Sequence, residues 1–153
     1  MSQIADLLPA GNILLDLDAG SKARLFDAVG ALFEANRGLP RRAVVDSLLA
    51  REKLGSTGLG QGIAIPHGRI RGLTEAQGAF VRLKPPIPFE APDGKPVAQV
   101  FVLLVPEQAT DQHLQLLSEL AQMFSETRFR ENLADRTDAA GLKAVFERWG
   151  SNG

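Results

Sequence analysis

The stretch VAQVFVLLV, residues 97–105, narrows the fold of this chain more than any other. It is apolar almost without interruption and rich in valine. A half-solvated strand would alternate apolar with polar residues, so this run reads as a strand covered on both faces. Such a strand lies inside a sheet, with one layer packed above it and another below.

The rest of the chain supplies those layers. Residues 12–17 (NILLDL) and 78–83 (GAFVRL) predict two more strands. Between them, residues 21–38 carry Leu25, Phe26, Val29, Leu32 and Phe33 at the spacing of one helical face, with Ser21 as N-cap and Gly38 as C-terminal stop. Pro40 opens a second helix with Val44, Val45, Leu48 and Leu49 on one side, ending near Gly55. Residues 84–96 (KPPIPFEAPDGKP) form a proline-rich connection whose Asp93-Gly94 pair marks a tight turn, with Phe89 expected in a satellite apolar cluster. From Asp111 the pattern is helical. One stripe is Leu114, Leu117, Ala121 and Phe124, read as core rather than as a partner groove; another is Leu142, Val145, Phe146 and Trp149. Strand, two helices, strands and helices predict an α/β fold: a single domain over residues 1–153, with a mixed β-sheet flanked by helices on both faces.

Composition excludes whole classes of function. With no cysteine among 153 residues, thiolate metal sites, disulfides and cysteine nucleophiles are ruled out. Lys+Arg 17 against Asp+Glu 18 gives a net charge of -1, so no global field draws the chain to nucleic acid or anionic lipid. The opening MSQIADLLPAGN has no basic segment and is interrupted by Asp6 and Pro9, unlike a signal peptide, and no apolar run approaches the roughly 20 residues of a membrane span. A soluble, cytoplasmic protein is the expectation.

The chemistry gathers in residues 55–70. GSTGLGQG, residues 55–62, has four glycines in eight positions and reads as a loop. It fails as a nucleotide motif. Gln61 and Gly62 stand where a Walker loop needs Lys and Ser/Thr, and Ile63 stands where a dinucleotide fingerprint needs its third glycine. The loop also leaves a helix and enters a strand, the reverse of both motifs. GIAIPHGRI then looks like a buried strand ended by proline, with His67 presented at its end between Pro66 and Gly68.

His67 and His113 are the two histidines of the chain. A zinc site would need a further ligand at close spacing, which neither neighbourhood provides, and no G-x-S-x-G elbow signals a serine hydrolase. What remains is an imidazole acting as the nucleophile, since its neutral form is abundant near pH 7. Phosphoryl transfer to nitrogen would draw on Ser56, Thr57 and the glycine-rich backbone to receive oxygens. It would also need a cation from among Arg51, Lys53 and Arg69, and a second histidine to orient the ring or bind the phosphoryl group.

These residues carry a family resemblance. REKLGSTGLGQGIAIPHGR, residues 51–69, closely resembles the active-site segment of IIA proteins of the bacterial phosphoenolpyruvate-dependent phosphotransferase system, nearest to the nitrogen-regulatory type of the mannitol/fructose-type superfamily. The likeness extends to IADLL, NILLDL, KPPIPFEAPDGKPVAQVFVLLVP and HLQLLSELA. It implies that His67 accepts a phosphoryl group on Nε2 from a histidine-containing phosphocarrier protein. His113 would steady the product, Arg51 would be the active-site cation, and Ser56 and Thr57 would belong to the supporting loop. It implies no metal or organic cofactor, and regulated partners such as a transporter, a kinase or other target proteins. Members often carry another histidine two residues beyond the one matching His113; here that residue is Gln115. Sugar-transport IIA components, which pass the phosphoryl group to a IIB partner, share the fold and the histidine and are the alternative reading.

Overall fold

The computed structural model describes residues 3–108 and 110–149, so the two ends of the expected 1–153 domain lie outside the described residues. The apolar run at residues 97–105 forms β6 (Val97–Pro106), and it organises everything else. On one side it pairs antiparallel with β5 (Gln77–Ile87), with Phe80 opposite Phe101. On the other it pairs parallel with two short strands in line, β3 (Ile63–Ala64) and β4 (His67–Ile70). β1 (Ile13–Leu17) extends the sheet parallel to β5, and β2 (Gly58–Gly60) closes the far edge antiparallel to β3. Among the described residues this makes one six-stranded mixed sheet.

Alternation along β6 splits the interior in two. Phe101, Leu103 and Val105 face one apolar layer, while Val100, Val102 and Leu104 face the other. The second layer is roofed by α2 (Lys22–Arg37) and α3 (Arg41–Lys53), which contribute Leu25, Phe26, Val29, Phe33, Val44 and Leu48. Ser21 caps α2 by accepting the Arg24 N–H at 3.2 Å, and Gly38 ends it with φ 69, a left-handed turn that glycine adopts without strain. The first layer is covered by α1 (Gln3–Asp6), α4 (Asp111–Ser125), α5 (Thr127–Asp135) and α6 (Ala139–Arg148). Five phenylalanines, Phe80, Phe101, Phe124, Phe129 and Phe146, meet there with centroids 5.3 to 6.5 Å apart. Full burial of each such side chain contributes about 1.5–3 kcal/mol, so this cluster anchors the helical layer. The expected mixed sheet with helices on both faces is the observed fold. None of the described helices is long and apolar enough to cross a membrane.

Local expectations needed correction. The glycine-rich segment is not wholly loop, because Gly58–Gly60 forms β2. The strand expected at residues 78–83 runs on to Ile87, with its register shifting between Arg82 and Ile87 around the prolines. Phe89 is fully buried in the α2/α3 layer, 6.5 Å from Phe26, and not in a satellite cluster. The largest change concerns α4. Its core face is Leu116, Leu120, Met123 and Phe124, whereas Leu114 is 62% exposed and Leu117 and Ala121 are only half-buried. Leucines occupy both stripes of this helix, so periodicity alone could not choose between them; the phenylalanine cluster does.

Candidate functional site

Residues 63–70 are one strand interrupted by proline. Ala64 lies opposite Val100 and His67 opposite Leu103, the same register on both sides of the break. Pro66 has no N–H to give, though its carbonyl accepts from Leu103 N at 3.0 Å. The Ile65 N–H turns away to the Thr57 carbonyl at 3.1 Å. His67 therefore heads β4 instead of ending a strand, which corrects the sequence reading. Gly68 is required by proximity: a Cβ there would stand 2.3 Å from Ser47 Oγ on α3, and Ser47 itself donates to the Arg69 carbonyl at 2.9 Å. Strand and helix are thus pressed together directly behind the histidine.

The His67 ring is fixed by one bond. Its Nδ1 lies 2.9 Å from the Ile65 carbonyl, which can only accept, so Nδ1 carries the proton and Nε2 keeps a free lone pair. Burial pushes the imidazole pKa below its ordinary 6.5, the Arg51 charge adds to that, and the Ile65 bond and Glu52 oppose it. The lowered pKa leaves the ring neutral at pH 7, with a lone pair on Nε2.

His113 has the opposite arrangement. It sits in the first turn of α4, and its Nδ1 accepts the Thr110 backbone N–H at 2.9 Å. An N–H can only donate, so in the neutral ring the proton is on Nε2. Both histidines line one cleft of about 420 Å³, together with Arg51, Leu54, Arg69 and Leu114. A smaller cavity of about 180 Å³ adjoins it, lined by Ser56, Thr57 and Leu59 and sharing Arg51, His67 and Leu117 with the first. Two rings of opposite tautomer, one with a lone pair on Nε2 and the other with an N–H there, thus line a shared space together with a guanidinium. That arrangement suits an anionic electrophile.

Arg51 belongs to the last turn of α3, and its Nη1 donates to the Gly55 carbonyl at 2.8 Å. Arg69 lines the cleft, whereas Lys53 lines a different cavity with Asp46, Glu52 and Glu90. Ser56 and Thr57 lie beside His67, but their protons are committed elsewhere. Ser56 Oγ donates to the Phe89 carbonyl at 2.6 Å and accepts from Gly58 N at 3.0 Å. Both the hydroxyl and the N–H of Thr57 donate to Glu52. Both hydroxyls and the Thr57 N–H are thus held within the loop. Gln115 is exposed and outside the cleft.

A match to the family described as "Phosphoenolpyruvate-dependent sugar phosphotransferase system, EIIA 2" spans residues 6–149. The chain belongs to this family. The EIIA 2 chain is 41% identical over 148 residues to the "Nitrogen regulatory protein" of Pseudomonas aeruginosa, covering 95% of each. It is 33% identical over 134 residues to the fructose-specific EIIABC component of Bacillus subtilis, covering 87% of this chain and 21% of that protein. The crystal structure of nitrogen regulatory protein IIA-Ntr from Neisseria meningitidis superposes with a TM-score of 0.88 at 51% identity, covering 94% of this chain and 99% of that one.

Sequence reasoning missed two things in this EIIA 2 site. One is Glu52, whose side chain is 6% exposed and holds Lys22 Nζ at 2.9 Å; a contact spanning 30 residues has no local signature. The other is the apolar rim. Leu54 (85% exposed), Leu59 and Leu114 border the two cavities, and they are the exposed large hydrophobics among the described residues.

Proposed function

We propose that this EIIA 2 chain is a phosphoryl carrier that receives the group on His67 Nε2 from a histidine-containing phosphocarrier protein and regulates target proteins by its phosphorylation state. The paired tautomers carry this reading: His67 offers a lone pair where His113 offers an N–H. In the transfer, the Nε2 lone pair forms the new N–P bond while the donor's N–P bond breaks, and the Nδ1 proton stays on the ring against the Ile65 carbonyl. Arg51 and His113 Nε2–H balance the charge on the arriving group, about -1.5 to -2. The exposed Leu54, Leu59 and Leu114 suit a protein donor, because a small anion needs no apolar rim. Once loaded, the cleft is anionic, and this change decides which transporter, kinase or other target docks there.

The test is intact-mass and label transfer from phosphoenolpyruvate through the general enzyme and phosphocarrier. Wild type gains one acid-labile, base-stable phosphoryl group; normal labelling of His67→Ala would overturn the proposal. The nitrogen-regulatory names of relatives near 40% identity favour regulation over sugar transport. Efficient onward transfer to a IIB protein would instead favour a sugar-transport component.

A further inference from the structure

Phosphorylating a neutral imidazole creates two charges. The phosphoryl group brings a near-dianion at Nε2, and the ring, still holding its Nδ1 proton, becomes cationic. Arg51 faces the first charge. Its sequence neighbour Glu52 turns the other way, into the fold behind the loop, and its surroundings form a continuous set of contacts that ends on the ring. The Glu52 carboxylate accepts the Thr57 N–H at 3.1 Å and the Thr57 hydroxyl. The Thr57 carbonyl accepts the Ile65 N–H at 3.1 Å. The Ile65 carbonyl accepts the His67 Nδ1–H at 2.9 Å. Each step crosses an α-carbon, so the set is a mechanical tether and no proton passes along it.

The origin of the tether is itself held. Lys22 Nζ binds Glu52 Oε2 at 2.9 Å and lies 4.5 Å from the Phe89 ring centroid, and the Phe89 carbonyl receives the Ser56 hydroxyl. The loop between α3 and β3 is thereby fixed on both sides. Resting on the reading of His67 as the phosphoryl carrier, we propose that Glu52 is the positioning residue of this site: through Thr57 and Ile65 it holds His67 in the Nδ1–H tautomer, and its charge stabilises the cationic ring formed on phosphorylation. Consecutive residues at the end of α3 then serve the two charges of one product, Arg51 for the phosphoryl group and Glu52 for the imidazolium. The depressed His67 pKa agrees, since Glu52 is among the influences that oppose the depression. The charged and titratable groups around the ring are Arg51 and Glu52 from α3, Arg69 from β4 and His113 from α4.

The decisive measurement is ¹⁵N NMR of the His67 imidazole across pH in the unphosphorylated protein, run beside phosphorylation kinetics. Glu52→Gln keeps the shape and an acceptor for Thr57 but removes the charge; Glu52→Ala removes both. The expected results are a His67 titration moved to lower pH in Glu52→Gln, and in Glu52→Ala additional loss of the single Nδ1–H tautomer. The phosphorylation rate constant should fall about tenfold in Glu52→Ala, with KM for the phosphocarrier unchanged, the low end of what losing an imidazole's orienting partner costs, and by less in Glu52→Gln, which loses only the charge. If Glu52→Ala does not fold, Lys22→Met loosens the same carboxylate and should shift the His67 titration. Wild-type titration and tautomer in Glu52→Gln and in the second variant overturn the inference. Failure of wild type to accept label, with the NMR changes as expected, overturns the carrier function and leaves the tether standing.

Discussion

The two walls of the cleft fix an imidazole by the same atom with opposite polarity and very different means. On the β4 wall, His67 Nδ1 donates to Ile65, and behind it stand β6, the Ser47 contact of α3, and the Glu52–Thr57 tether. On the α4 wall, His113 Nδ1 accepts from Thr110, three residues away, at the exposed start of a helix. His67 is mounted by contacts with segments distant in sequence; His113 is set by one local cap. Error at the attacking atom is costly because reaction rate depends steeply on geometry, whereas a hydrogen-bond donor tolerates small displacement. The difference in construction fits the different tasks proposed for the two rings.

The comparison can be broken from either side. Removing the cation between the walls, Arg51→Gln, should slow phosphorylation about a hundredfold, as loss of one donor to a developing anion does elsewhere, without changing the His67 tautomer; stopped-flow labelling and NMR check both. On the β4 wall, Gly68→Ala forces a methyl against Ser47 and should destabilise the fold by about 1–3 kcal/mol, read by denaturant unfolding, with phosphorylation impaired as well. On the α4 wall, His113→Ala should leave stability nearly unchanged while shortening the phosphoprotein's lifetime about tenfold. His113→Gln, which retains an N–H donor, should recover part of it. Equal global destabilisation by Gly68→Ala and His113→Ala would dissolve the contrast.

The smallest expected effect concerns pH. Because burial lowers the His67 pKa, phosphorylation should persist to lower pH than an ordinary imidazole allows and decline as pH falls through the lowered folded value. Stability follows with a definite sign. As pH falls below the ordinary value, the unfolded chain takes up a proton that folded His67 refuses, so folding weakens. His67→Gln should lose that dependence, and thermal melts of the two proteins across this range measure it.

The sheet and the first two helices were legible because their signals are local: a run of valine and leucine, a serine cap, a glycine stop. The place of His67 in the cleft was legible for the same reason, since Pro66 and Gly68 mark it from both sides. The α4 phase was not, because Leu114, Leu116, Leu117 and Leu120 satisfy two helical faces and only the packed phenylalanines select one. Nor was the fate of the Ser56 and Thr57 protons, which depends on Phe89 and Glu52 meeting the loop in three dimensions. Glu52 stood in view beside Arg51, but its meaning rests on Lys22, 30 residues earlier.

The proline break has a final consequence. Because register resumes unchanged at His67, the imidazole is carried on β4, which is laddered to β6, a strand with ladder partners along both of its edges. Amides in a doubly paired strand such as β6 are expected to exchange with solvent mainly through large-scale opening, so His67 stands beside a firmly held part of the sheet. If His67 carries the group as proposed, loaded and empty forms should share this backbone and differ chiefly in charge at one point. On that proposal, a binding partner would read a mark on a still surface, not the stroke of a lever.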